Sequence, residues 1–520
     1  MTAPNFLFII TDQHRADYLG CAGHPIVKTP NIDSIAASGT RFTRFHTATP
    51  VCMPNRATLL TGRFPSVHGL RQNGEYLTYR ANTFADVLSA NGYKTATIGK
   101  SHIQPMTIHP AEQRIDPAAL GLLKEAWKDD GEDYDHETPE RYQGNEMYEF
   151  PTPYYGYQHV DMVTNHGDQA GGHYEQWLRA QTPKAEYLRD RKNQLKHDYK
   201  CPQAVRTAIP EELYSTTFIR DKALKWLDER KNESDPFFAF VSFPDPHHPF
   251  TPPGKYWDMY DPKDFDVPAP WGSHKNPIPP MQWLRDQQLA GKRTDQSQEA
   301  FTAEPEELRE AMALSCGMIT MIDDAVGMLI AKLKETGKYD NTVIVFNADH
   351  GDYLGHHGLL LKGALPFESI TKVPFIWSDP ASRKAQASNA LASTVDLAPT
   401  IMARAGVKPY NGIQGKSLLG NLDGSEQLRE RLLMEHQDTF IRMGRSRFML
   451  LRSLLTDRYR ITVYRGEGYG ELYDLKNDPL ESENLWDSAA HKSIRLELMD
   501  QLMDEMLENV DTSPHAKRRA

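Results

Sequence analysis

The chain has 520 residues, 39% hydrophobic and 25% charged, proportions that fit a globular protein with a large core and exclude a disordered or fibrous one. Its formal charge of -11, from 59 basic and 70 acidic residues, excludes a general nucleic-acid or anionic-membrane binder, so an anionic ligand would need a local basic pocket. The cysteines, Cys21, Cys52, Cys201 and Cys316, are widely spaced and form no CxxC pair, which implies neither a disulfide framework nor zinc or redox chemistry.

Phe6 to Thr11 (FLFIIT) is a continuous apolar run, the pattern of a strand buried on both faces of a parallel sheet. It is far shorter than a membrane span and no basic region or cleavage site precedes it, so a cytoplasmic protein without membrane attachment is expected. Thr83 to Ala90 reads as a helix closed by Asn91-Gly92, and Tyr93 to Ile98 as a second strand. The stretch from Gln104 to Pro210 is charged, rich in Tyr and His and weakly periodic, and reads as a long surface insertion that shapes substrate access. Phe237 to Phe243 is a third strand. A long helix starts near Pro305, carries Leu308, Met312, Met318, Ile322, Val326, Leu329 and Leu333, and stops near Gly337. Thr342 to Phe346 is a fourth strand.

Strands alternating with helices predict an α/β fold: a large, mixed, mainly parallel sheet flanked by helices on both faces. From about Gln427 the pattern changes to short strands at Phe448 to Leu451, Tyr459 to Val463 and Glu471 to Leu475, then a helix from Ser493 to Leu507. The expected division is a main domain over 1–426 and a small C-terminal α+β subdomain on a short antiparallel sheet over 427–520.

In open α/β sheets ligands bind beyond the carboxyl ends of the strands. Asp12 and Gln13 follow the first strand, Lys100 and His102 the second, Asp245 and His247 the third, and Asp349 and His350 the fourth. Two carboxylates, an amide and an imidazole can hold one divalent cation; the oxygen-rich set suits Ca²⁺, Mg²⁺ or Mn²⁺, and the imidazole favours Mn²⁺. On position alone, the lesser alternative is that Asp12 and Asp349 cap the helices that follow them.

Pro50 to Arg63 reads PVCMPNRATLLTGR, in which Cys52, Pro54 and Arg56 form C-x-P-x-R ahead of Leu60-Thr61-Gly62. Pro54 suits the first turn of a helix, which places Cys52 at the N-terminus, where free N–H groups and the helix dipole favour negative charge. The residues alone leave three readings open: a nucleophile for an anionic ester, an inert buried thiol, or a thiolate paired with histidine.

Over nearly its whole length the sequence resembles the sulfatase family of the alkaline-phosphatase-like superfamily. The likeness rests on C-x-P-x-R with L-T-G, Asp12-Gln13, GKSH at Gly99 to His102, PHHP at Pro246 to Pro249, ADHGDYLGHHGLLLKG at Ala348 to Gly363, and ELYDLKNDPLESENL at Glu471 to Leu485. The resemblance implies that a formylglycine-generating enzyme oxidises Cys52 to formylglycine, whose hydrate attacks a sulfate ester of a small molecule and forms a covalent sulfo-enzyme. It implies one divalent metal on Asp12, Gln13, Cys52, Asp349 and His350, with Ca²⁺ ranked first and Mn²⁺ or Mg²⁺ as alternatives. Arg56 would hold the diol, Lys100 and Lys362 the sulfate oxygens, and Asn73 would bind substrate. His247 would protonate the leaving group, and His102 would deprotonate the diol to release sulfate.

Three departures bear on this. Many sulfatases carry Asp where Gln13 stands and Asn where His350 stands, and the pair here is similar to the phosphonate monoester hydrolase branch. Lys100 and His102 are sulfatase-like, because that branch usually lacks them. Asn55 replaces the usual small residue before Arg56, which puts efficient conversion of Cys52 in question. The alternatives are a phosphonate monoester or phosphodiester hydrolase with the same machinery, an enzyme doing both, an inactive binder of sulfated ligands, and a thiol hydrolase. A homo-oligomer is compatible with the sequence, which does not fix the oligomeric state.

Overall fold

A computed structural model of the protein describes residues 3–107, 120–123, 126, 130–295, 299–423, 427–438, 440–514 and 518. The main sheet is built from β1 (Asn5–Thr11), β2 (Thr40–Phe42), β3 (Lys94–Gly99), β4 (His159–Thr164), β5 (Gly171–Gly172), β6 (Phe237–Phe243), β7 (Thr342–Ala348), β8 (Phe375–Ser378) and β9 (Gln386–Ser388). Their order across the sheet is β9-β2-β8-β7-β1-β6-β3-β4-β5, and only β8 and β5 run against the others. The mixed, mainly parallel sheet expected from the sequence is therefore present.

Side chains alternate across a strand with period two, so β1 feeds two cores at once. Phe6, Phe8 and Ile10 pack on one face with α2 (Cys52–Thr61), α3 (Phe84–Ala90) and α7 (Leu397–Arg404). Leu7 and Ile9 pack on the other face with α1 (Pro30–Ala37), α4 (His173–Gln181), α5 (Ser215–Glu229) and α6 (Pro305–Glu335). Burial on both faces explains why these strands read as unbroken apolar runs. In α6 a capping box between Glu304 and Glu307 sets the start. This helix is long and apolar enough to cross a membrane, yet 83% of its most apolar window is buried inside the fold, where it serves as a core helix.

The C-terminal region forms an antiparallel sheet in the order β10 (Leu432–Gln437), β11 (Leu450–Leu455), β12 (Tyr459–Tyr464), β13 (Gly470–Asp474), covered by α8 (Lys492–Glu508). Leu498 and Leu502 of α8 share a core cluster with Leu433, Leu454, Ile461 and Leu472, and with Phe64 and Val395 of the main body. Strand β10 was missing from the sequence reading.

The segment from Gln104 to Pro210 differs from the surface insertion expected. Its described part supplies β4 and β5 to the main sheet and buries Glu137, Tyr154, Tyr155 and His166. Strand β4 escaped notice because His159 and Asp161 interrupt its apolar pattern; Asp161 is ion-paired to Lys222 at 2.7 Å and to His159 at 2.7 Å. Residues 108–119 of that stretch lie outside the described residues.

Candidate active site

Strands β7, β1, β6 and β3 are immediate neighbours in the sheet, so the polar residues that follow them arrive along one edge. Asp349 and His350, Asp12 and Gln13, His247, and Lys100 and His102 are all buried there. Gly99 makes the turn into Lys100: its φ is 108°, and a Cβ would lie 1.9 Å from the carbonyl oxygen of Ser242.

Helix α2 brings Cys52 to this edge from below. Val51 is extended and Cys52 is the first helical residue, as Pro54 predicted; Asn73 Oδ1 accepts the N–H of Met53 at 3.2 Å. The helix ends at Gly62, whose φ of 61° suits the left-handed cap and where a Cβ would meet Ile413 at 2.6 Å. Asn73 thus supports the first turn of the helix that carries Cys52.

The Cys52 sulfur lies 3.1 Å from His350 Nε2, 2.9 Å from Lys362 Nζ and 3.9 Å from Asp12 Oδ1. Burial and Asp12 push the thiol up, but Lys362, His350 and Lys100 outweigh them and hold it below the usual thiol range. Burial likewise raises Asp12, and the same cations with Arg56 hold it well below the usual carboxylate range. His350 donates from Nδ1 to the Gly351 carbonyl at 2.8 Å, which leaves Nε2 facing Cys52, Asp12 at 3.4 Å and Asp349 at 3.8 Å. One ligand atom each from Asp12, Cys52, Asp349 and His350 falls within 4.8 Å of the others.

Arg56 is the electrostatic hub. Its Nε donates to Asp349 Oδ2 at 2.8 Å, Nη1 to the Lys100 carbonyl at 2.8 Å and to Ser242 Oγ at 3.0 Å, and Nη2 reaches Asp12 Oδ2 at 3.5 Å. Lys100 Nζ donates to Asp12, and Lys362 Nζ donates to His247 Nε2 at 2.7 Å. His247 donates from Nδ1 to the His248 carbonyl, so Nε2 is the nitrogen turned into the site. Burial, together with the neighbouring cations, holds His102 and His247 well below the usual imidazole range.

A family profile described as Sulfatase matches residues 4–116 and 148–407, and one described as the C-terminal part of N-sulphoglucosamine sulphohydrolase matches residues 355–508. The chain belongs to the sulfatase family. This places it among sulfuric ester hydrolases. This sulfatase is 28% identical over 519 residues to an arylsulfatase from Clostridium perfringens, covering 97% of this chain and 94% of the other. It is also 28% identical to a multifunctional alkaline phosphatase superfamily protein from Trinickia caryophylli, covering 98% and 96%. Its fold superposes on the phosphonate monoester hydrolase of Agrobacterium radiobacter with a TM-score of 0.75, 25% identity, and 98% and 97% coverage.

Sulfatases generally use a formylglycine and a divalent metal ion, and the donor set here fits both. A formylglycine at position 52 would share these neighbours, and the carboxylates with His350 Nε2 are donor types that suit a hard cation. Gln13 takes a left-handed φ of 62°; its amide nitrogen donates to Asp352 and lies 3.0 Å from His248 Nδ1, and its Oε1, the atom able to bind a cation, lies 3.2 Å from the same ring nitrogen. Burial raises Asp352 to about 6.

Reading the sulfatase motifs missed three supports. Asp352 orients Gln13; Glu137 accepts the backbone N–H groups of His102, Ile103 and Gln104 at 2.8, 3.2 and 3.3 Å, and the Tyr154 hydroxyl at 2.6 Å; His166 contacts Lys100. Asp245, noted beside His247, accepts from Thr216 Oγ1 at 3.0 Å. Asn55 bridges the main-chain carbonyl of Asp349 and Thr394, at 2.6 Å each.

Proposed function

We propose that the protein hydrolyses sulfate esters of small molecules through a hydrated formylglycine made from Cys52, with a covalent sulfo-enzyme as intermediate. The observation that carries this reading is the position of residue 52: at a helix N-terminus, 2.9 Å from Lys362 and 3.1 Å from His350, among two buried carboxylates. A divalent ion held by Asp12, Gln13, Asp349 and His350 would supply Lewis-acid charge to a sulfate oxygen. The remaining tasks fall to the chain's own side chains.

Arg56 locks the two carboxylates and stays protonated beside residue 52, which favours an anionic oxygen there. Lys100 and Lys362 flank the position where sulfate oxygens would gain charge, and being buried they act undiluted by water. His247 Nε2 faces inward and would hand a proton to the departing oxygen. Burial, with Lys362 and Lys100 nearby, lowers the proton affinity of this ring, and a bound sulfate monoanion would offset that positive charge and raise it. His102, held at its backbone by Glu137, would take the second diol proton and release sulfate.

The test joins chemistry and turnover. The tryptic peptide carrying position 52 should show one sulfur and two hydrogens replaced by an oxygen, and the same preparation should hydrolyse an aryl sulfate. An active preparation with an intact thiol would overturn the reading, as would activity in Cys52→Ala.

A second substrate class has its own support. Gln13 is neutral where many sulfatases carry a carboxylate, and the fold superposes on a phosphonate monoester hydrolase with a TM-score of 0.75. A less negative ligand set repels a phosphorus ester less. Turnover of an aryl phosphonate monoester equal to or above that of the aryl sulfate would make this second class the main one.

A further inference from the structure

His166, two residues beyond β4, enters the site from the next strand along the sheet. It is buried, its Nε2 lies 2.5 Å from Lys100 Nζ and 3.8 Å from Asp12 Oδ2, and its ring lies flat on that of His247, with centroids 3.4 Å apart and planes 7° apart. An ammonium donor at that distance requires Nε2 to be the accepting nitrogen.

Asp12, His166 and His247 also offer ligand atoms within 4.8 Å of one another, which raises a second cation site. Lysine charge already fills it: Lys100 Nζ contacts Asp12 and His166, and Lys362 Nζ lies 2.7 Å from His247 Nε2. A metal there would sit against two ammonium groups, so the cluster anchors lysine.

We propose that His166 is a positioning residue with two partners, holding the Lys100 ammonium through Nε2 and buttressing the His247 ring through its face. The assignment rests on the sulfate-ester reading above. A lysine side chain loses rotamer freedom when fixed, and a specific acceptor is needed to fix it. A neutral imidazole does so without offsetting any more of the ammonium charge than Asp12 already does, whereas a second carboxylate would cancel it. For His247, the bond from Nδ1 to the His248 carbonyl and the bond from Lys362 to Nε2 pin both ring nitrogens, and the His248 ring stacks on it with centroids 4.1 Å apart, so the ring can tilt about the line of its nitrogens only away from His248. The parallel face of His166 blocks that tilt and keeps Nε2 within reach of the leaving oxygen, as general-acid catalysis demands.

The two roles separate by substitution. His166→Phe keeps a ring for stacking and loses the acceptor; His166→Gln keeps an acceptor and loses the ring. Both are assayed as metal-loaded enzyme with verified formylglycine, on 4-nitrophenyl sulfate, a good leaving group, and phenyl sulfate, a poor one. His166→Phe should lower kcat/KM on both esters by a similar factor, on the order of tenfold or more, because Lys100 serves the sulfate group common to them. His166→Gln should lower phenyl sulfate at least about tenfold further than 4-nitrophenyl sulfate, because only the poor leaving group depends strongly on the acid.

Variants within about twofold of wild type on both esters would overturn the assignment. So would equal losses on both esters in both variants, which a merely structural role produces. If His166→Phe fails to fold, the leaving-group dependence of His166→Gln decides alone. Absence of aryl sulfate turnover in the wild-type enzyme would overturn the functional reading itself, and this assignment with it; wild-type turnover with unaffected variants overturns the assignment alone.

Discussion

The side-chain amide of Asn55 donates to the main-chain carbonyl of Asp349 at 2.6 Å while its oxygen accepts from Thr394, so this buried residue ties the helix that carries Cys52 to the loop that carries Asp349, alongside the bond of Arg56 to the Asp349 carboxylate. The residue that departs from the usual motif therefore has a structural task. Asn55→Ala leaves a carbonyl and a hydroxyl buried without these partners, at a cost of about 1–3 kcal/mol. It should also free the Asp349 loop and weaken divalent-cation affinity about tenfold or more, as loss of an outer support does. Thermal unfolding with and without added cation measures both, and an unchanged melting temperature would exclude the bond as a support.

Glu137 offers a way to separate the two chemical steps. Its carboxylate collects the N–H groups of His102, Ile103 and Gln104, and His102 itself sits at a left-handed φ of 57°, a backbone setting that needs such a clamp. Glu137→Gln turns one acceptor into a donor against this loop and should displace His102 more than His247, which β6 positions. The expected result is a rapid burst of about one phenol per active site followed by slow turnover, because sulfate release is the step assigned to His102. Burst and steady state falling together in a rapid-mixing experiment would remove His102 from that step.

The fold and the polar groups gathered at its sheet edge were legible because both follow from short-range rules. Apolar runs buried on two faces gave β1, β3, β6 and β7, and the residues just beyond them gave Asp12, Lys100, His247 and Asp349. The same rule applied to β4 points to His166, two residues past Thr164, but β4 carries a half-exposed His159 and an ion-paired Asp161 that hide its period. Glu137 and Asp352 were illegible for another reason. Their partners are backbone groups or side chains brought together by the fold, and sequence spacing carries no trace of such contacts. Strand β10 failed because LLMEHQ reads equally as a buried helix turn.

Removing a divalent metal held as proposed should stop catalysis without unfolding the protein. Asp12 and Asp349 are already compensated by Arg56, Lys100 and Lys362, so the site does not hold uncancelled carboxylates when the cation leaves. Chelation should abolish turnover, preserve the far-UV circular dichroism spectrum, and lower stability only by the binding linkage, about 2.7 kcal/mol at a cation concentration one hundred times its Kd. Restored cation should restore activity. Global unfolding on chelation would show that the lysines do not carry the compensation described.

His68 lies behind the nucleophile helix as a neutral ring. Its Nδ1 accepts the N–H of Leu70 at 3.2 Å, so Nε2 carries the proton and faces Thr58 Oγ1 at 3.0 Å, which in turn donates to the Pro54 carbonyl at 2.9 Å. Protonating Nδ1 would set a donor against a donor in a buried place, and burial, ahead of Arg63, lowers this histidine from 6.5 to about 3. A depressed folded value means that the unfolded chain binds the proton first. The stabilisation is therefore complete above pH 6.5 and is lost as pH falls toward about 3, at about 1.4 kcal/mol per unit. His68→Asn, which keeps an acceptor for Leu70, should be less stable than wild type at pH 7 and close to it at pH 4. Urea unfolding of both proteins at the two pH values checks this, and a gap between them that stays constant with pH would mean that His68 titrates alike in the folded and unfolded chains.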